Sequence, residues 1–356
     1  MLQDDHLGDH QDDPTKPDEA VCREIEAAVQ HQQTPGEQLE EIKEAAEESP
    51  PQPRSSTINQ CVLVSVFAVL GAYLRIVLMD ATPDGFVSYL SSQFVGSFIL
   101  GTVFHLKRFM NPDVFVGLSV GLCGSLTTFS TWQVDIVETL VGTNSGAAIA
   151  YAWFQDQVIG LAVPLIGLAS GKHAGDELSS LLNLQEYMTK PPEASTLTAI
   201  YWCAGLCCGV GVTVGAILAP GIISFSLVLA PLGALLRLAL SRYLNPLSVH
   251  FFYGTFVANV LGSVIGGVLF DVMLNFKLNE LGCAALWALQ YGFCGSLTTV
   301  STFVNELHTL PFIRSAYVYG VVSILTTQAL LIIIMGSYVW ALPENPADKD
   351  VCFSAK

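Results

Sequence analysis

The chain is 356 residues long, with 15 Lys plus Arg against 31 Asp plus Glu, 51% hydrophobic residues and 13% charged ones. An ordinary soluble domain carries about 25% charged residues. The charge is also uneven: residues 1–57 hold 15 acids and 4 bases, which accounts for −11 of the net −16. An acidic chain without a basic patch excludes a nucleic-acid partner. Nine Cys, mostly within apolar stretches such as Ala204–Cys208, argue against a secreted disulfide scaffold. The remaining class is a multi-spanning membrane protein surrounded by lipid bilayer, because so few charges cannot solvate a soluble surface.

In chain order, residues 1–57 are acidic, Gln- and Pro-rich and without an apolar run. They bury too little surface to offset ordering entropy and read as a disordered tail, with a short helix near Glu37–Glu48. No basic start and apolar centre lie near Met1, so no cleaved signal peptide is expected. From Cys61 onward, apolar runs recur at the ~20-residue length that crosses a ~30 Å hydrocarbon core. Four runs, 59–79, 86–106, 114–140 and 146–169, fall in a first unit, 58–170. A hydrophilic loop, 171–195, and a linker span, 196–219, follow. Four more runs, 221–243, 250–272, 282–308 and 314–340, make a second unit, 220–340, before a C-terminal tail, 341–356. The predicted fold is therefore an all-α membrane protein with nine transmembrane helices.

The two units are copies. Gly121–Trp132 and Gly292–Phe303 are identical at 9 of 12 positions, and Gly71–Leu78 and Gly233–Leu240 at 5 of 8. Four spans return the chain to its starting side, so two directly joined copies would be parallel. One linker span inverts the second copy. Inverted repeats place a site near the midplane, between the halves. With the N-terminus cytoplasmic, the inner segments carry Arg54, Lys107, Arg108, Lys172, Lys190, Arg242 and Arg314. The outer ones carry only Lys277, Lys349 and Lys356, so the positive-inside rule favours a cytoplasmic N-terminus and an external C-terminus.

An ionisable residue inside a span is a functional candidate. Arg75 and Arg237 sit at matched positions near the ends of the first spans, where snorkelling to the interface competes with an ion-facing role. The third spans carry Gly, Ser and Thr in a row over Cys123–Thr131 and Cys294–Thr302. Gly and Thr are poor helix formers, and irregular backbone at this depth survives only inside protein or along a polar cavity. Freed carbonyls there suit a cation and hydroxyls suit an anion, while close helix packing by small residues is the competing account. Gly262 and Gly266 fit close packing. No spacing supports a hydrolase triad, a phosphate loop or a zinc site, so the chain does not read as an enzyme. His105, His173, His250 and His308 lie at or beyond span ends. Asp156 is the one mid-span acid with a proton-site character.

These motifs carry a resemblance. Gly292–Phe303, the upstream Gly-Ala-Leu-Leu-Arg and Gly254-Thr-Phe-Val-Ala-Asn-Val-Leu-Gly-Ser263 are similar to the fluoride channel family. The layout resembles its eukaryotic branch, in which two copies are fused. The resemblance covers residues 58–340 and implies a passive, fluoride-selective plasma-membrane channel of two antiparallel halves, working as a single chain. It implies a structural sodium ion held by backbone carbonyls at Gly124, Thr127, Gly295 and Thr298. It also implies a fluoride path through Asn259, Phe303, Glu306 and a one-face track of Tyr319, Ser323 and Thr327. Thr299 and Ser301, with Arg75 and Arg237, complete the polar residues near that path.

The copies differ at these positions. The first has Gln93 for the Asn, Trp132 for the second Phe and Asp135 for the Glu, and Tyr151, Gln155 and Ile159 at the track. The second has Val300 where the first keeps Phe129. If each path borrows its first Phe from the other copy, Asn259, Phe129 and Phe303 form one intact path. Gln93, Trp132 and Val300 then form a degraded one. The alternatives are a proton-coupled small-substrate transporter of inverted-repeat type, which needs a pathway acid such as Asp156, and a scaffold whose acidic tail docks partners.

Overall fold

The computed structural model describes residues 56–83, 87–142, 146–181, 194–276, 278–337 and Cys352. The acidic tail and the short helix expected near Glu37–Glu48 lie outside these residues, as do all of 182–193 and all of 338–356 except Cys352. The described chain is helical. It begins with α1 (Thr57–Asp80), α2 (Tyr89–His105) and α3 (Pro112–Val116, continuing through a π-helical stretch, Gly117–Cys123, to Gly124–Leu126). After a break come α4 (Phe129–Gly142), α5 (Gly146–Leu181) and the linker α6 (Ala194–Leu218). The second copy holds α7 (Ile222–Leu244), α8 (Tyr253–Asn275) and α9 (Glu280–Ala288, π-helical Leu289–Cys294, then Gly295–Leu297). After the matching break it ends with α10 (Ser301–Thr309) and α11 (Ile313–Leu331).

Seven of the described helices are long and apolar enough to cross a membrane, including 57–80, 112–141 and 195–218. The 17-residue α2 and the interrupted α9–α10 element fall outside that set.

Local sequence explains the starts and the breaks. Ser56 accepts from the Asn59 amide at 3.5 Å at the head of α1. Asn111 accepts from Asp113 N at 2.9 Å with Pro112 at the first helical position, and Asn279 accepts from Gly282 N at 2.8 Å. Each interrupted span stops at a Thr with extended backbone, Thr127 at φ −99°, ψ 148° and Thr298 at φ −87°, ψ 157°. Paired β-branched Thr residues have low helix propensity, and their hydroxyls find partners outside the helix.

Matched glycines seat these broken elements. A Cβ on Gly71 would overlap the Leu122 carbonyl, and one on Gly233 would overlap that of Phe293. Gly96 and Gly262 likewise lie against the methyls of Thr127 and Thr298. In each copy, the first and second spans press bare backbone onto the third, the close approach that small residues allow.

The hydrophilic stretch expected as a loop from 171 is helical as far as Leu181. Lys172, Asp176 and Glu177 extend α5, and Asp176 meets His105 Nε2 at 3.0 Å. Polarity marked the end of the apolar run and not the end of the helix. The linker α6 leaves much of its apolar surface outward, with Leu206 65% and Ile217 73% exposed. It is tied to α1 by an Asn59 Nδ2 to Thr198 Oγ1 hydrogen bond of 3.1 Å.

Candidate functional site at the crossed helix breaks

The two breaks meet. Thr127 Oγ1 accepts from the backbone amides of Val300 and Ser301 at 3.2 and 3.1 Å, at the head of α10. Thr298 Oγ1 accepts from Phe129 N and Ser130 N at 3.2 Å each, at the head of α4. Each Thr thus ends one interrupted helix and caps the helix that resumes in the other copy. Reciprocal contacts of this kind are the mark of a two-fold interface. Hydroxyls fill the crossing: Thr127 Oγ1 lies 3.0 Å from Ser301 Oγ and 3.3 Å from Thr299 Oγ1, and Thr298 Oγ1 lies 3.0 Å from Ser130 Oγ.

Arg75 and Arg237 follow the same exchange and do not snorkel. Both are buried, at 1% and 2% exposure. Arg75 donates to the Ser125 carbonyl at 2.6 Å, to the Gly295 carbonyl at 2.5 Å and to that of Tyr291. Arg237 donates to Ser296 O at 3.1 Å and Val120 O at 2.7 Å. Each guanidinium therefore ties its own half to the other. A broken helix leaves its last carbonyls without i+4 amides, and these two side chains supply donors. No carboxylate lies within salt-bridge range of either among the described residues. Gly124 and Gly295 are glycine because a Cβ would overlap Arg237 and Arg75 respectively.

The residues expected to hold a cation are present and suitable in kind, since backbone carbonyls are hard oxygen donors. The arrangement is not uniform: the Gly295 oxygen already accepts from Arg75, while Thr127 and Thr298 bring extended backbone to the crossing. Among the described residues, no cluster of His, Cys, Asp and Glu suits a metal.

Beside the crossing runs an aromatic row. Trp132, Phe129, Phe303 and Tyr319 are all fully buried. Successive centroids lie 5.4, 5.4 and 5.3 Å apart, the first two pairs edge to face. Phe129 of the first copy thus packs on Phe303 of the second. Tyr319 OH donates to Glu306 Oε2 at 2.6 Å, and Thr255 Oγ1 donates to Glu306 Oε1 at 2.6 Å. Tyr319, Ser323 and Thr327 form one buried stripe along α11. The Ser323 and Thr327 hydroxyls donate back along the helix, to Tyr319 O at 2.7 Å and Ser323 O at 2.8 Å.

The halves are unequal at the second spans. Asn259 grips both backbone groups of Thr299, donating from Nδ2 to its carbonyl at 3.1 Å and accepting its amide on Oδ1 at 2.9 Å. Gln93 donates to Thr128 O at 2.7 Å, but its buried Oε1 has no partner. On the first copy's side, the Trp132 ring lies over Gly160, and its Nε1 donates to the Asp156 carbonyl at 3.2 Å. Tyr151 is 70% exposed, so the first-copy residues aligned with the track do not form a buried stripe.

Sequence reasoning missed several participants. Asn245 reaches toward Glu306 from the α7–α8 connection, and a Gln133–Gln328–Trp153 chain joins the halves with two 3.0 Å hydrogen bonds. Cys283 and Cys352 form a disulfide, and Trp287 Nε1 donates to Cys352 O at 2.9 Å. Buried hydroxyls without a partner recur at matched positions, Ser97 with Ser263 and Ser125 with Ser296. Internal comparison of the copies could have flagged only this last set.

The helical bundle with apolar, outward-facing spans defines a multi-pass membrane protein built on two crossed, interrupted helices. Within that class, the chain belongs to the family described as CrcB-like protein, Camphor Resistance (CrcB), which it matches twice, at residues 62–168 and 224–337. It is 33% identical over 264 residues to fluoride export protein 1 of Neurospora crassa, a match covering 66% of this chain and half of that protein. Fluoride export protein 1 of Candida albicans is 30% identical over 312 residues, covering 77% of this chain and 78% of the relative. A single stretch of 80 residues is 49% identical to the fluoride-specific ion channel FluC of Pasteurella multocida, covering 22% of this chain and 59% of the relative. No solved structure matches the chain.

Proposed function

We propose that this protein is a passive fluoride channel that exports fluoride from the cytoplasm along one path. Membership of the CrcB-like family and the names of its relatives support the substrate. The observation that carries the path is the contact of Phe129 on Phe303, beside Tyr319 and Glu306.

Fluoride is small and strongly hydrated, so it leaves water only where donors replace its shell. Hydroxyls of Tyr319, Ser323 and Thr327 are such donors once they turn from their present acceptors. The positive edges of Phe129 and Phe303 face an anion without binding it tightly, and weak serial contacts are what conduction requires. Asn259 fixes the Thr299 backbone at the crossing and so holds the row in place. Arg75 and Arg237, with no carboxylate in salt-bridge range among the described residues, make the centre electropositive and favour anions over cations, and Glu306 feels the Arg237 charge. A sodium ion at the crossing would add to that charge. Carbonyls of Thr127, Thr298 and Gly124 would hold it, with Gly295 shared with Arg75. Export needs no coupling, since moving one charge through 100 mV is worth about 2.3 kcal/mol.

The finer architecture belongs to the same proposal: nine spans, two inverted four-span units within 58–170 and 220–340, and the linker 196–219. The N-terminus is cytoplasmic and the C-terminus external, in the plasma membrane. The Cys283–Cys352 disulfide supports that sidedness, because disulfides persist on the oxidising face. Purified protein in liposomes loaded with fluoride or chloride tests the function. Fluoride efflux with chloride retained is expected, and retention of both overturns it.

A further inference from the structure

The connection between α7 and α8 carries a contact that the path as described leaves unused. Asn245 opens the short 3-10 turn after α7. Its Oδ1 accepts from Gly254 N at 2.7 Å and Thr255 N at 3.2 Å, which caps the first turn of α8. Its Nδ2 lies 3.4 Å from Thr255 Oγ1 and 3.4 Å from Glu306 Oε1. Gly254 has no side chain here because a Cβ would come 2.7 Å from that same Oδ1 and overlap the Leu240 carbonyl. Asn245 is half-buried and Glu306 is buried, while Leu247 beside the turn is 69% exposed. One amide therefore spans from an exposed corner to the acid that receives Tyr319.

We propose that Asn245 is a positioning residue at the cytoplasmic mouth of the path, an inference that rests on the channel reading above. It anchors the start of α8 with its oxygen and orients the Glu306 carboxylate with its nitrogen. Oε1 is then turned to Thr255 and Oε2 to the Tyr319 hydroxyl beside Phe303. The amide does both with separate atoms, oxygen to the α8 amides and nitrogen to the acid, whereas a carboxylate in its place has no donor for Glu306. The connection between α1 and α2, residues 81–88, contains no Asn.

Two variants separate positioning from capping. Asn245→Asp keeps an oxygen for the Gly254 and Thr255 amides but sets a second carboxylate against Glu306. Asn245→Asp combined with Glu306→Gln exchanges the amide and the carboxylate. Fluoride efflux from proteoliposomes and detergent melting temperature are read for both, beside wild type. The expected result is a near-wild-type melting temperature for Asn245→Asp, efflux at least about tenfold lower, and efflux above that level in the exchanged pair. If Asn245→Asp does not fold, a folded and conducting exchanged pair gives the same support. Wild-type efflux in Asn245→Asp, or a loss that the exchange does not relieve, overturns the inference. Absence of efflux from the wild type overturns the channel reading instead, so the two failures are distinct.

Discussion

Thr127 and Thr298 each terminate one helix and cap another in the opposite copy, through hydroxyl acceptors 3.1–3.2 Å from two backbone amides apiece. The interruption of each third span is therefore stabilised by the other half, and neither copy completes its own break. This reciprocity links the duplication in the sequence to a shared centre in the fold.

Removing a capping hydroxyl without changing shape isolates that link. Thr127→Val or Thr298→Val should each lower stability by about 1–2 kcal/mol, read as a reduced melting temperature in detergent. Thr→Ser at either position keeps the acceptor and should cost little. Equal effects of Val and Ser would show that the hydroxyls are not caps.

The buried guanidiniums satisfy carbonyls on both breaks. Arg75→Met should leave the Ser125, Gly295 and Tyr291 carbonyls without that donor and cost on the order of 3 kcal/mol. Gly295→Ala should act on the same contact from the other side, by displacing the Arg75 guanidinium. Size-exclusion profiles and melting temperature check both, and normal folding of Gly295→Ala would contradict the packing described.

Sodium replacement tests the carbonyl site. If Thr127, Thr298 and Gly124 hold a sodium ion, exchanging it on both sides for a large organic cation should reduce fluoride efflux, and sodium should restore it. Efflux indifferent to the cation would remove the ion from the account.

The Cys283–Cys352 disulfide is buried with Trp287 and Met273 at one end of α9. A long-loop disulfide contributes about 2–4 kcal/mol. Cys352→Ser should therefore lower the melting temperature, while efflux of the folded protein stays near wild type because the aromatic row is built elsewhere. Thiol labelling of reduced protein by an impermeant reagent should occur from outside the cell. Labelling only from inside would reverse the assigned orientation.

Much of the bundle was legible because membrane burial writes plainly. Apolar runs of spanning length mark the long helices, and Gly71, Gly233, Gly96 and Gly262 at matched positions mark packing contacts. The breaks were legible from the Thr pairs. What those Thr residues do was not, since a cap on the other copy is a contact 173 residues away for Thr127 and Val300. Arg75 read equally well as an interfacial residue, because a position near a span end says nothing about which carbonyls lie across the interface. Asn259 read as a residue of the path, but its grip on both backbone groups of Thr299 was not legible, since the partner lies 40 residues away. Asn245 was invisible because its contacts with Gly254, Thr255 and Glu306 form only once the corner between α7 and α8 is folded. The Cys283–Cys352 pair was missed because nothing in the spacing joins a Cys of the polar C-terminal tail to one 69 residues earlier.

The central claim is a single fluoride path along Phe129, Phe303 and Tyr319, with the other side filled by Trp132. Fluoride efflux from liposomes, compared between Asn259→Ala and Gln93→Ala at equal protein, tests it most directly. The account predicts that efflux is abolished in the first and retained in the second, because Asn259 holds both backbone groups of Thr299 and Gln93 only one of Thr128. Equal loss in the two variants would mean that both sides conduct, and would contradict it.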